Sequence, residues 1–188
     1  MRQITYTLLL SVLLLAACQQ KGQMTPEERK SAEMEVGAYV TEMFREIADW
    51  YNKHRDSYER NDFDERFTSW SYRQLRAEAE RLGEQMNDIP PCCDYDHWIQ
   101  AQDWGRVIVQ TDSVNVLARD TAKVYVTIHN LGSRSPLCLV MLKQPRGCHD
   151  PEGQWFIDDF ISDDYEGHPF ASSERKLLQE WVHYYESK

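Results

Sequence analysis

Carboxylates are the first candidates for chemistry in this 188-residue chain. Asp94, Asp96 and Asp103 open like a calcium-binding loop. An EF-hand would then need an oxygen ligand where Trp98 stands, glycine where Ile99 stands and an acid where Gly105 stands, so the pattern fails. Asp158, Asp159, Asp163, Asp164 and Glu166 place five acids in nine residues. Weak calcium binding is one reading of such a run, and a solvated acidic loop is the favoured one. His149-Asp150 and His168 lack the i, i+4 spacing of a helical zinc site, and the six histidines read as surface or packing residues. No nucleophile elbow, phosphate loop or dinucleotide fingerprint occurs, and the eight glycines are dispersed. The expectation is therefore no cofactor and no metal.

The N-terminal residues carry an address. Arg2 precedes an apolar run from Leu8 to Ala17, broken only by Ser11. Ten helical residues reach about 15 Å, half a bilayer core, which suits a signal peptide rather than a spanning helix. The run ends in Leu15-Ala16-Ala17-Cys18, which resembles the lipobox of bacterial lipoproteins. That resemblance implies cleavage after residue 17, acylation of Cys18 and attachment to a membrane through it. Gln19 and Gln20, with no Asp after the Cys, are similar to outer-membrane sorting signals. The implied location is the bacterial cell envelope, on the outer membrane and facing the periplasm.

The formal net charge is −10. This excludes nucleic acid as a partner, because phosphate neutralisation needs basic groups. Beyond Cys18 the cysteines are Cys92, Cys93, Cys138 and Cys148. An even number in an exported chain points to disulfides, and no C-x-x-C spacing supports a redox motif or a zinc ribbon. A meander places Cys138 and Cys148 at opposite strand ends, about 17 Å apart. These four cysteines allow three connectivities, one of them with a vicinal Cys92–Cys93 bond, and a single bridge or free thiols are further readings. Bridged Cα atoms sit within about 7 Å, so Cys138 with Cys92 or Cys93 needs less distortion than Cys138–Cys148.

The elements that must position these residues follow from periodicity. Thr25-Pro26-Glu27-Glu28 is a helix start with a capping box. Val36, Val40, Met43, Phe44, Ile47, Trp50, Tyr51, His54 and Tyr58 continue it as one apolar stripe. Its first turns, polar all round, are expected to project from the body. A second helix spans about Ser69 to Met86 and stops at Pro90-Pro91. Cys92 to Gly105 reads as an ordered, aromatic loop. From Arg106 the pattern alternates, giving strands near 107–117, 122–128, 137–143 and 154–160, with Gly132–Pro136 as a turn. A final helix covers about Ser173 to Glu186. The sum is an α+β domain with N-terminal helices packed on a curved antiparallel sheet, plus a C-terminal helix. Residues 1–17 are the signal peptide, 18–35 the lipidated Cys, tether and polar helix start, and 36–188 one domain.

Asp94-Tyr95-Asp96 with Ala101-Gln102-Asp103, followed by paired strands and Gly153-Gln154-Trp155-Phe156-Ile157-Asp158-Asp159, resembles an uncharacterised family of bacterial envelope proteins. That family has the cone-shaped, cystatin-like fold of nuclear transport factor 2 and the ketosteroid isomerases. The resemblance implies a concave cavity, with Trp50, Tyr51 and Asp103 as its candidate lining. In such a cone an isomerase would need a buried carboxylate base and a proton donor. Asp103 and Tyr51 are the pair to test, although the resemblance assigns no catalytic residue. The leading expectation is a non-catalytic, lipid-anchored binding domain for a small ligand or another envelope protein. An inhibitor or immunity-type protein steered onto a basic partner is the first alternative. A small isomerase or hydrolase is the second.

Overall fold

A computed structural model describes residues 24–54, 61–145, 153–164 and 166–187. The long first helix, α1 (Pro26–Lys53), starts at the expected capping box, with the Thr25 side chain accepting from Glu28 N–H and Glu28 answering Thr25 N–H. A short α2 (Phe63–Phe67) and α3 (Trp70–Met86) follow. Four long strands form β1 (Ile108–Ala118), β2 (Thr121–Asn130), β3 (Ser133–Gln144) and β4 (Gln154–Ser162). The two-residue β5 (Ser172–Ser173) leads into α4 (Glu174–Glu186). The sheet order is β1-β2-β3-β4-β5, antiparallel throughout, as the alternating pattern requires. Among the described residues no helix is long and apolar enough to cross a membrane.

α1 lies across one face of the sheet. Its stripe of Val36, Val40, Met43, Phe44 and Ile47, each no more than 3% exposed, packs with Val124, Val126, Leu137, Leu139 and Met141. Fully burying each such side chain stabilises by roughly 1.5–3 kcal/mol. Gly37 lets the helix approach closely, since a Cβ there would lie 3.1 Å from Val114 Cγ2.

The polar start of α1 does not project. Glu28 bridges Arg119 at 3.0 Å, Arg29 Nη1 donates to the Val116 carbonyl, and Glu35 accepts from Lys143 Nζ and Trp155 Nε1. Long charged side chains reach the sheet edge and its turns, so a segment without an apolar stripe still docks.

Of the expected Gly132–Pro136 turn only Gly132 is turn, and Ser133–Pro136 already belong to β3. Leu131 and Gly132, with φ of 50° and 81°, make a two-residue hairpin loop of the kind that matches strand twist. Pro136 fits within β3 because the β4 pairing begins one residue later, at Leu137.

Candidate functional site

Three segments converge beside the end of α1: α2, α3 and the loop from Cys92 to Gly105. In α3, Tyr72, Ala79 and Gly83 form the buried stripe, and Arg76 occupies a position on that same stripe. The loop is folded by its own polar groups. Asp96 and Ala101 exchange backbone hydrogen bonds, and Asp96 Oδ1 accepts from Trp98 N–H, which turns His97 and Trp98 inward. α4 delivers Glu174 as its first residue, where the helix dipole favours a negative side chain.

His97 is the centre of the arrangement. Its Nδ1 lies 2.6 Å from Arg76 Nη1, and its Nε2 lies 3.0 Å from Asp64 Oδ1. A guanidinium only donates, so Nδ1 accepts and Nε2 carries the proton toward Asp64. Asp64 Oδ1 takes a second bond from Trp98 Nε1 at 2.9 Å. Behind His97, Glu174 is 1% exposed and accepts from Tyr72 Oη at 2.6 Å and Tyr95 Oη at 3.0 Å. Arg76 also donates from Nε to Glu80 at 3.1 Å. The outer side of this network is a groove of about 470 Å³ lined by Asn61, Asp64, Arg76, Cys93, Tyr95, His97 and Gln102, among others.

The electrostatics separate the two buried carboxylates. Burial pushes Glu174 above the usual carboxylate range, with His97, Tyr72 and Arg76 pulling the other way. Burial also opposes ionisation of Asp64, but the His97 N–H, Arg76 and the Trp98 indole outweigh it and hold Asp64 below that range. Burial and Glu174 push Tyr95 up, and burial and Asp96 do the same to Tyr51. These phenols stay protonated.

The residues singled out from sequence are placed as follows. Tyr51 is buried, and its hydroxyl donates to Asp96 Oδ2, not to Asp103. Asp103 is exposed, and its backbone carbonyl accepts from Asn130 Nδ2. Trp50 is half-buried, stacked on His54 with ring centres 4.6 Å apart and edge-on to Phe63. Trp50, Tyr51 and Asp103 therefore do not assemble one cavity: aromatic neighbours and Asp96 use up the two rings, and the loop turns Asp103 outward.

Cys92, Cys93 and Cys138 are free thiols. The anticipated bond from Cys138 is not formed, because Cys138 lies within β3 opposite Tyr125 and Ile161 rather than at a strand end. Cys92 Sγ instead points at the Glu174 carbonyl. Burial pushes the Cys93 thiol up to about 11, and Cys92 further. Cys18 and Cys148 lie outside the described residues.

The run of acids from Asp158 is not a solvated loop throughout. Asp158 Oδ1 accepts from Ser69, Ser71 and Arg175, and Asp159 accepts from Ser173 Oγ and Arg175 N–H, so both brace the starts of α3 and α4. Asp164, Glu166 and His168 bring ligand atoms within 4.8 Å of one another. Asp164 already accepts from the Glu166 and His168 N–H groups and pairs with the His168 ring.

Asp64, Arg76, His97 and Glu174 were not candidates in the sequence. The legible signal was Arg76, a cation four residues after Tyr72 and three before Ala79 on an inward stripe. No family model matches this chain, and neither a curated protein nor a solved structure does.

Proposed function

We propose that this protein is an envelope lipoprotein, anchored through Cys18, whose domain binds a small polar molecule in the Asp64–His97 groove without transforming it. The carrying observation is how the polar groups at the groove are employed. Both His97 nitrogens, both Glu174 oxygens, the Tyr51 hydroxyl and both Asp96 oxygens are engaged within the protein. A general base must have a lone pair free for substrate, and Asp64 Oδ2, which is left open to the groove, belongs to a carboxylate held below the usual range and is a poor proton acceptor. Cys93, the nucleophile candidate in the lining, is held as a thiol. What such a network does well is hold a shaped, charged wall in place. The lipobox residues Leu15 to Cys18 support the anchor. The antiparallel meander under α1 agrees with a nuclear-transport-factor-2-like cone, which we adopt as the finer reading of the fold.

Two measurements test this on the full chain extracted from membranes in detergent. Mass spectrometry should find a mature protein beginning at an acylated Cys18, and an unprocessed chain beginning at Met1 refutes the anchor. Titrating a small-molecule extract of envelope origin should move the Trp98 indole N–H resonance, since that group lies on Asp64 at the groove. A resonance that stays fixed refutes the binding reading.

A further inference from the structure

The groove's walls also specify the charge of what enters, an inference that rests on the binding reading above. Among the described residues Arg76 is the one cation in the lining, and its Nε and Nη1 are committed to Glu80 and His97. Its charge is turned into the protein. Asp64 is arranged the opposite way. Oδ1 accepts two N–H groups, from His97 and Trp98, and no partner of Oδ2 occurs among the described residues. The side chain retains 37% exposure at the groove. Fixing one oxygen twice orients the other in advance, so a donor reaching it finds an ordered acceptor. Half-buried Tyr95 supplies aromatic wall beside it, the surface that favours an organic cation over a hydrated metal ion, while Trp98 stays in the core and reaches the site only through its indole N–H. Asp94, exposed at the rim, adds a second negative charge.

We propose that the groove binds an organic ammonium group, its N–H donors on Asp64 Oδ2 and its methylenes along Tyr95. The same chemistry is carried by a free alkylamine and by a lysine side chain. Three isosteric probes test it by titration of the Trp98 indole resonance in the full lipidated chain in micelles: putrescine, 1,4-butanediol and succinate. Putrescine should shift the resonance saturably, with the neutral and anionic probes inert. Nα-acetyl-lysine amide should bind as well, and whichever of the two amines binds tighter names the source.

Asp64→Asn isolates the claim. Asn Oδ1 still accepts from His97 and Trp98, while an amide donor replaces Oδ2. Putrescine affinity should fall about tenfold or more. If Asp64→Asn does not fold, the wild-type contrast among the three probes decides alone. Succinate or butanediol shifting the resonance while putrescine does not overturns the ammonium inference and leaves the binding reading standing. Silence from all three together with silence from the extract removes both.

Discussion

Replacing Arg76 with methionine tests whether charge, rather than packing, holds the groove together. Met keeps most of the aliphatic stem and deletes the guanidinium. The side chain is 16% exposed, and it faces His97 Nδ1, Glu80 and the neighbourhood of Glu174, itself 2% exposed. The ion pair of Arg76 is with half-exposed Glu80, so the main direct loss is the donor to buried His97 Nδ1, and leaving such an acceptor unsatisfied costs about 1–3 kcal/mol. Asp64 and Glu174 also lose a nearby positive charge, so the upper end, about 3 kcal/mol, is expected. For a chain of this size that is a fall in Tm of roughly 6–12 °C.

The pH dependence supplies the sign. Arg76 lowers the pKa of both Asp64 and Glu174. The stability it contributes through them is present while they are ionised and is lost as pH falls through their folded values. Burial leaves Glu174 above the usual range, so it titrates first. Urea unfolding followed by tryptophan fluorescence should show the full deficit at about pH 8 and a smaller one at about pH 4.5. An equal deficit at both would show that Arg76 acts by volume, and the electrostatic account would be wrong.

Three further outcomes follow from the contacts. Ser69→Ala removes the N-cap of α3 and one donor to Asp158, and should cost about 1–2 kcal/mol by urea unfolding. Tyr51→Phe takes the buried donor from Asp96 and should cost about 1.5 kcal/mol, whereas Asp103→Asn at the surface should stay within about 0.5 kcal/mol. Equal losses from those two would contradict the placement of both. Burial raises the Cys93 thiol to about 11, so maleimide should label it at least about tenfold slower than an ordinary thiol at neutral pH. Labelling as fast as free cysteine, read by intact mass, would place Cys93 in the open.

The long elements were legible because their signals are local. Thr25 and Glu28 announce α1, Ser173 caps α4 through Lys176 N–H, and strict alternation marks Val124, Val126 and Ile128 as one face of β2. α2 was not legible, since five residues are too few to display a helical period. The Leu131-Gly132 turn was hidden because leucine rarely takes a positive φ. The site was hidden for a different reason. Tyr72 and Glu174 are 102 residues apart, and Asp64 and His97 are 33 apart. No periodicity links residues that meet only after two helices and a loop have packed. Acidic residues were conspicuous in the sequence, but their number did not distinguish those that brace helix starts, such as Asp158, from those that face a groove, such as Asp64.

α1 also sets a distance. Its first turn is tied to the β1–β2 turn through Arg119 and Val116, and its last turns reach Val107, where Asn52 exchanges two hydrogen bonds with the backbone. From Pro26 to Tyr51 that is roughly 38 Å of rigid rod. If Cys18 is the anchor proposed above, a rod of that length lets the groove stand as far as this from the bilayer. The screening length in physiological salt is about 8 Å, so a headgroup's charge would fade several times over before reaching Asp64. At that reach the groove would sample the surrounding solution rather than the field of a lipid surface.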